Sequence, residues 1–228
     1  MGSRDDGETP LDSLRWVLTT DDERVVYVRE LLGSVFAVVM VGVVLFGVSG
    51  VWPPMVAVES GSMDPNLQRG DLVFVMEEHR FPGEGAHVAD EPTGVVPNRV
   101  GAQPGGYAKF GAGGDVVVYS RDGRAGGTPV IHRAMFWVND SENWYDKANP
   151  DYLGNAADCE ELRNCPAPHA GFITKGDNPA TNPNYDQVGG ISRPVRPDWV
   201  VGTAEFRIPK LGCIRLIASG DAGAGCVL

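Results

Sequence analysis

A chain of 228 residues, 43% hydrophobic and 21% charged, has the composition of a folded protein with a packed core, which excludes wholesale disorder and a multi-span membrane protein. Its 30 Gly and 17 Pro favour a loop-rich, mostly β architecture, because both residues are poor in helix interiors and serve turns. The formal net charge of -11, with no basic run to offset it, excludes nucleic acid as a partner and also fits a protein kept soluble in concentrated salt.

Residues 1–30 read as an acid-rich cytoplasmic tail. It holds Thr20-Asp21-Asp22-Glu23, a capping-box pattern in which Thr20 accepts from the Glu23 amide to start a helix. From Leu31 to Trp52 the chain carries no charge, and as a helix rising about 1.5 Å per residue it crosses the roughly 30 Å hydrocarbon core. That stretch is too long for the apolar region of a cleaved signal peptide. Arg15, Arg24 and Arg29 precede it, whereas Arg69 alone follows within about twenty residues, so the amino-terminus is expected in the cytoplasm and Trp52 at the outer interface.

Residues 53–218 are expected to form an extracytoplasmic β domain. Short β-branched runs recur at Met55–Val58, Asp71–Met76, Val116–Tyr119, Val130–Val138, Gly171–Thr174 and Val200–Ile208, between Gly, Pro and Asn clusters. Two stretches near 77–114 and 139–170 lack an apolar period and read as insertions looping off the sheet. Cys159 and Cys165 in the second either close a surface loop in an oxidising exterior or stand as two idle thiols; a zinc site adding His169 would be one ligand short. Ile208–Ala218 is apolar, with Lys210 and Arg215 placed to snorkel along a membrane surface, and 219–228 reads as a flexible tail.

The chemistry concentrates in Val58-Glu59-Ser60-Gly61-Ser62-Met63-Asp64-Pro65, followed by Gly70-Asp71 at the start of a strand. This string resembles the nucleophile motif of type I signal peptidases. The resemblance implies Ser62 as nucleophile and Ser60 as a hydroxyl donor to the oxyanion hole beside the Ser62 amide. Ser62 follows Trp52 by ten residues, and at no more than about 3.5 Å per residue it stays near the bilayer. There a signal peptide leaves its cleavage site just beyond its apolar segment.

A serine hydroxyl needs a base within hydrogen-bond reach. Val130-Ile131-His132-Arg133, coming after Gly114-Asp115-Val116-Val117-Val118-Tyr119, resembles the later motifs of the same family. Bacterial members carry a lysine at the place of His132; the histidine resembles the archaeal and endoplasmic-reticulum branch. His79, His87 and His169 fall in the insertions and read as solvated loop residues. Thr174-Lys175-Gly176-Asp177-Asn178-Pro179 resembles the family's last motif, and Asp186 stands for its second aspartate. The spacing is longer than in the eukaryotic pattern, and Pro179 stands where a second asparagine is often found. Asp177 and Asp186 therefore both remain candidates for the carboxylate that orients the base. Asp186 is favoured for that role and Asp177 for shaping the pocket, against an Asx-turn as the plain structural reading of either.

The resemblance implies a mostly β signal-peptidase-like domain behind one N-terminal transmembrane helix, in the cell membrane. It implies Ser62 at the edge of a groove lined by apolar residues such as Met63, with no cofactor and no metal. The implied partners are the lipid bilayer and secretory preproteins bearing small residues before the cut, with further membrane subunits left open. Two other readings compete. One is a serine and lysine dyad using Lys109 or Lys175 made neutral by burial; the other is a non-enzymatic single-pass surface protein, which leaves the ordered motifs unexplained.

Overall fold

The computed structural model describes residues 10–86, 92–221 and 226, with side chains from residue 15 onward. It divides into two compact units, residues 1–47 and 48–228.

The first unit holds α1 (Pro10–Thr19) and all but the last two residues of α2 (Glu23–Ser49). Asp22, not Thr20, caps α2: its Oδ1 accepts from the amides of Arg24 at 3.0 Å and Val25 at 3.4 Å. A carboxylate one residue before the first helical turn satisfies two orphan donors and favours the positive end of the helix dipole, so the reciprocal box expected around Thr20 does not form. Over its most apolar 18 residues α2 has a mean hydropathy of 2.7, and the helix is long and apolar enough to cross a membrane. Its apolar side chains are largely exposed on every face. The helix begins eight residues before Leu31 and stops at Ser49, because Gly50 takes a positive φ of 78° that ends it. Trp52 therefore lies beyond the helix and is exposed.

The second unit is built on strands β1 (Met55–Ala57), β2 (Leu72–Met76), β3 (Ala108–Lys109), β4 (Ala112–Gly113), β5 (Val116–Tyr119), β6 (Val130–Val138), β7 (Gly171–Lys175) and β8 (Val200–Ile208). Six of them form one antiparallel sheet in the order β1-β2-β8-β5-β6-β7, and β3 and β4 form a separate hairpin. Each expected β-branched run is a strand, within a residue at either end. β5 shows why its sequence is apolar at every position. It lies between β6 and β8, and alternate residues feed opposite faces. Val116 and Val118 join Val58, Met63, Leu67, Val73 and Val75 in one core. Val117 and Tyr119 join Trp137, Phe172, Val195 and Trp199 in another.

The stretch 139–170 does not loop off the sheet. Trp144, Leu153, Leu162 and Ala167 pack with Phe136, Val138, Ile173 and Tyr185 into a third core. The missing apolar period has a physical cause: the segment is made of short 3₁₀ turns, Tyr145–Lys147 and Pro150–Tyr152, and single aromatic anchors stand at irregular intervals. A disulfide joins Cys159 to Cys165. The described part of 77–114 contains α3 (Asn98–Gly101) and the β3–β4 hairpin; His87 lies outside the described residues. After α4 (Asp186–Gly189), the chain closes with α5 (Cys213–Ser219). Cys213 and Leu216 pack against Ala57, while Ile214 and Ile217 are exposed. Cys226, in the stretch read as a flexible tail, is bonded to Cys213; residues 222–225 and 227–228 lie outside the described residues.

Candidate active site

Ser60, Ser62, Met63 and His132 line one cleft of about 450 Å³, between the segment that leaves β1 and the start of β6. Glu59 and Arg121 also border it. The Ser62 hydroxyl lies 3.2 Å from that of Ser60, and the Ser62 amide meets no acceptor among the described residues. Met63 is buried beneath the cleft, and its sulfur accepts the amide of Asp177 at 3.4 Å.

Two backbone clamps hold the serine loop to the segment after β7. The Asn178 amide donates to the Ser62 carbonyl at 2.9 Å, and the Asn178 side chain donates to the Gly61 carbonyl at 2.7 Å. Close approach is the reason for glycine at 176: a Cβ there would come within 2.6 Å of the Ser62 carbonyl oxygen. Backbone meeting backbone leaves no side chain to yield.

His132 and Arg133 are consecutive on β6 and so face opposite sides of the sheet. Each finds a different carboxylate. His132, 3% exposed, places Nδ1 2.7 Å from Oδ2 of the wholly buried Asp186. Arg133, 1% exposed, forks onto Asp177, Nε to Oδ1 at 2.9 Å and Nη2 to Oδ2 at 2.6 Å. Its Nη1 donates into the carbonyls of Lys109 and Gly114, and Asn66 completes the Asp177 shell at 2.8 Å. A carboxylate accepts only, so Asp186 fixes the proton on Nδ1 and leaves Nε2 of the neutral ring as the acceptor available to the cleft.

The third core supports Asp186. Tyr185, one residue before it, packs edge-on against Phe136, Trp144 and Tyr152, and its amide donates to the Tyr152 carbonyl at 3.1 Å. Asn164, beside Cys165, donates to the Gln187 carbonyl at 2.9 Å. Oδ2 of Asp186 also receives the hydroxyls of Tyr119 at 2.9 Å and Thr174 at 2.6 Å. Neither hydroxyl is distinguishable in the sequence from an ordinary strand residue.

The remaining candidates lie apart from the cleft. Lys109 pairs with Glu205. Lys175 donates to the Gly176 carbonyl at 2.9 Å and sits over the Tyr152 ring; burial pushes its pKa down, against the pull of Asp177 and Asp186. Neither lysine lines the cleft. His79 stands 3.8 Å from Glu78. His169 is buried rather than solvated: Nδ1 lies 2.9 Å from the Ala170 carbonyl, and the ring meets Trp199 edge-on.

One long apolar helix followed by an antiparallel β domain, with a serine and a histidine at a single cleft, is the build that the sequence motifs anticipate for a type I signal peptidase. No protein-family model matches the chain. It is similar to proteins named signal peptidase complex catalytic subunit SEC11. The identity is 28% over 167 residues for that of Eremothecium gossypii (73% of this chain, 66% of the relative), and 26% over 167 residues for Aspergillus oryzae (73% and 65%). For Saccharomyces cerevisiae strain YJM789 it is 28% over 163 residues (72% and 64%). The match thus spans just under two thirds of each relative's length. The chain is distantly similar to these subunits over about three quarters of its own length.

Proposed function

We propose that the chain is a membrane-bound serine endopeptidase that removes signal peptides from secretory preproteins, with Ser62 as nucleophile, His132 as general base and Asp186 as the carboxylate that orients it. The observation that carries this reading is the 2.7 Å contact between His132 Nδ1 and buried Asp186, on the wall of the cleft that holds Ser62. Nε2 takes the proton as Ser62 Oγ attacks the scissile carbonyl, and Asp186 stabilises the imidazolium so formed. The developing oxyanion meets the Ser62 amide and the Ser60 hydroxyl, both poised for charge that exists only in the transition state. The imidazolium then gives its proton to the leaving amine, and water repeats the sequence on the acyl-enzyme.

In this reading α2 anchors the protein in the cell membrane with residues 1–30 in the cytoplasm and 53–218 outside. Arg15, Arg24 and Arg29 before the span support that direction. So do the two disulfides, which persist in oxidising compartments. The relatives are named as subunits of a complex, which supports partner subunits for this chain as well. The lysine dyad is disfavoured because both lysines are engaged away from the cleft. The test is cleavage of a preprotein in detergent: the wild type should release a mature chain cut just past the apolar segment, and Ser62→Ala should release none. Normal cleavage by Ser62→Ala contradicts the assignment.

A further inference from the structure

Asp186 is wholly buried and is hydrogen-bonded through one carboxylate oxygen. Its Oδ2 takes the His132 ring and two hydroxyls, Tyr119 at 2.9 Å and Thr174 at 2.6 Å. Its Oδ1 has no partner among the described residues. The three groups on Oδ2 come from three neighbouring strands, β5, β6 and β7. Tyr119 is wholly buried, and its ring is packed among Trp137, Phe172 and Trp199, so the phenol has little freedom to turn elsewhere.

We infer that Tyr119, seconded by Thr174, is a positioning residue that sets how strongly Asp186 holds the His132 proton. This rests on the triad reading above. Burial, with the Asp186 charge beside it, raises the Tyr119 pKa well above its ordinary value, so the phenol remains a donor at every working pH. A carboxylate oxygen that already accepts two hydroxyls has less charge left to stabilise an imidazolium. Tyr119 and Thr174 thereby weaken the pull of Asp186 on the ring and ease return of the proton to the leaving amine. They also fix the carboxylate plane, which fixes the direction of Nε2.

The sign follows. Tyr119→Phe keeps the packed ring and removes only the donor, so Asp186 binds the imidazolium more tightly and the acidic limb of the kcat profile moves to higher pH. The other charged and titratable groups around the pair stay as they are: Lys175 on β7, Arg121 after β5, and Glu59 across the cleft.

The experiment is preprotein cleavage in detergent by the full chain, from pH 5 to 9, with Ser62→Ala as the baseline and thermal melting alongside. Tyr119→Phe should lose about tenfold in kcat, hold KM within about twofold, and show the raised limb; Thr174→Val should move the limb the same way. An unmoved limb in Tyr119→Phe overturns the inference, whether kcat is intact or has fallen together with the melt. If Tyr119→Phe does not fold, Thr174→Val decides by the same criterion. These failures leave the triad standing when Ser62→Ala is inactive, whereas an active Ser62→Ala removes both readings together.

Discussion

Arg133 and Asp177 form a two-pronged ion pair beneath the serine loop, with contacts of 2.9 and 2.6 Å, and the same guanidinium holds the hairpin carbonyls of Lys109 and Gly114. Asp177 reads as a structural keystone, joined to the serine loop through its amide on the Met63 sulfur. Removing one partner of a buried pair leaves the other charge unpaired, which costs about 3–5 kcal/mol. Asp177→Ala should therefore lower the melting temperature of the solubilised chain sharply. Arg133→Lys should do so less, since it keeps the charge and loses the fork. Melts equal to wild type would remove this role from the pair.

Asp186→Asn should behave in the opposite way. An amide neither stabilises the imidazolium nor selects one tautomer, and its cost to turnover is on the order of 10³–10⁴. Turnover at saturating preprotein separates the two carboxylates: Asp186→Asn should be the slower enzyme, and Asp177→Asn the less stable one. The reverse pattern would exchange their roles.

Much of this arrangement was legible in the residues. The strands were, because Val-rich runs bounded by Gly and Pro clusters have few other ways to fold. Ser62 and His132 could be singled out as candidates, because their neighbours carry motifs, and they line one cleft. Asp186 could be favoured over Asp177 as the neighbour of His132 but not fixed, since the choice depends on strand alternation: His132 and Arg133 part to opposite faces, and each takes one carboxylate. Tyr119 and Thr174 left no mark, because a buried hydroxyl in a strand has no pattern of its own. The packing of 139–170 was missed for a related reason, as Trp144, Leu153 and Leu162 meet only through irregular turns.

Asp115 gives a pH signature outside the cleft. Burial raises its pKa from 3.8 to about 6, so the folded state favours the protonated carboxyl. The stability this gives is fully present below about pH 4 and is lost as pH rises through about 6, leaving a cost of about 3 kcal/mol above that window. Asp115→Asn should melt higher than wild type at pH 8, with the difference shrinking toward pH 4.5. An equal difference at both pH values would show that the charge is not the cause.

The disulfide of the third core should matter to stability first and turnover second. Cys159 and Cys165 are six residues apart, and closing so short a loop contributes about 2 kcal/mol in the chain-entropy account. The double serine variant should melt about 4–8 °C lower. It should also turn over more slowly, because Asn164 braces the Asp186 turn through Gln187. A lowered melt with wild-type turnover would show that the brace does not reach the site.

The central claim is that Ser62 and His132 work as one device, and a double-mutant comparison tests it most directly. Single-turnover cleavage of a preprotein would be measured for Ser62→Ala, His132→Ala and the pair together, with melts confirming that each folds. Residues that act as a unit are non-additive, so the account predicts that the double variant is no slower than either single one, all three being far below wild type. Losses that multiply, or appreciable turnover by Ser62→Ala, would contradict it.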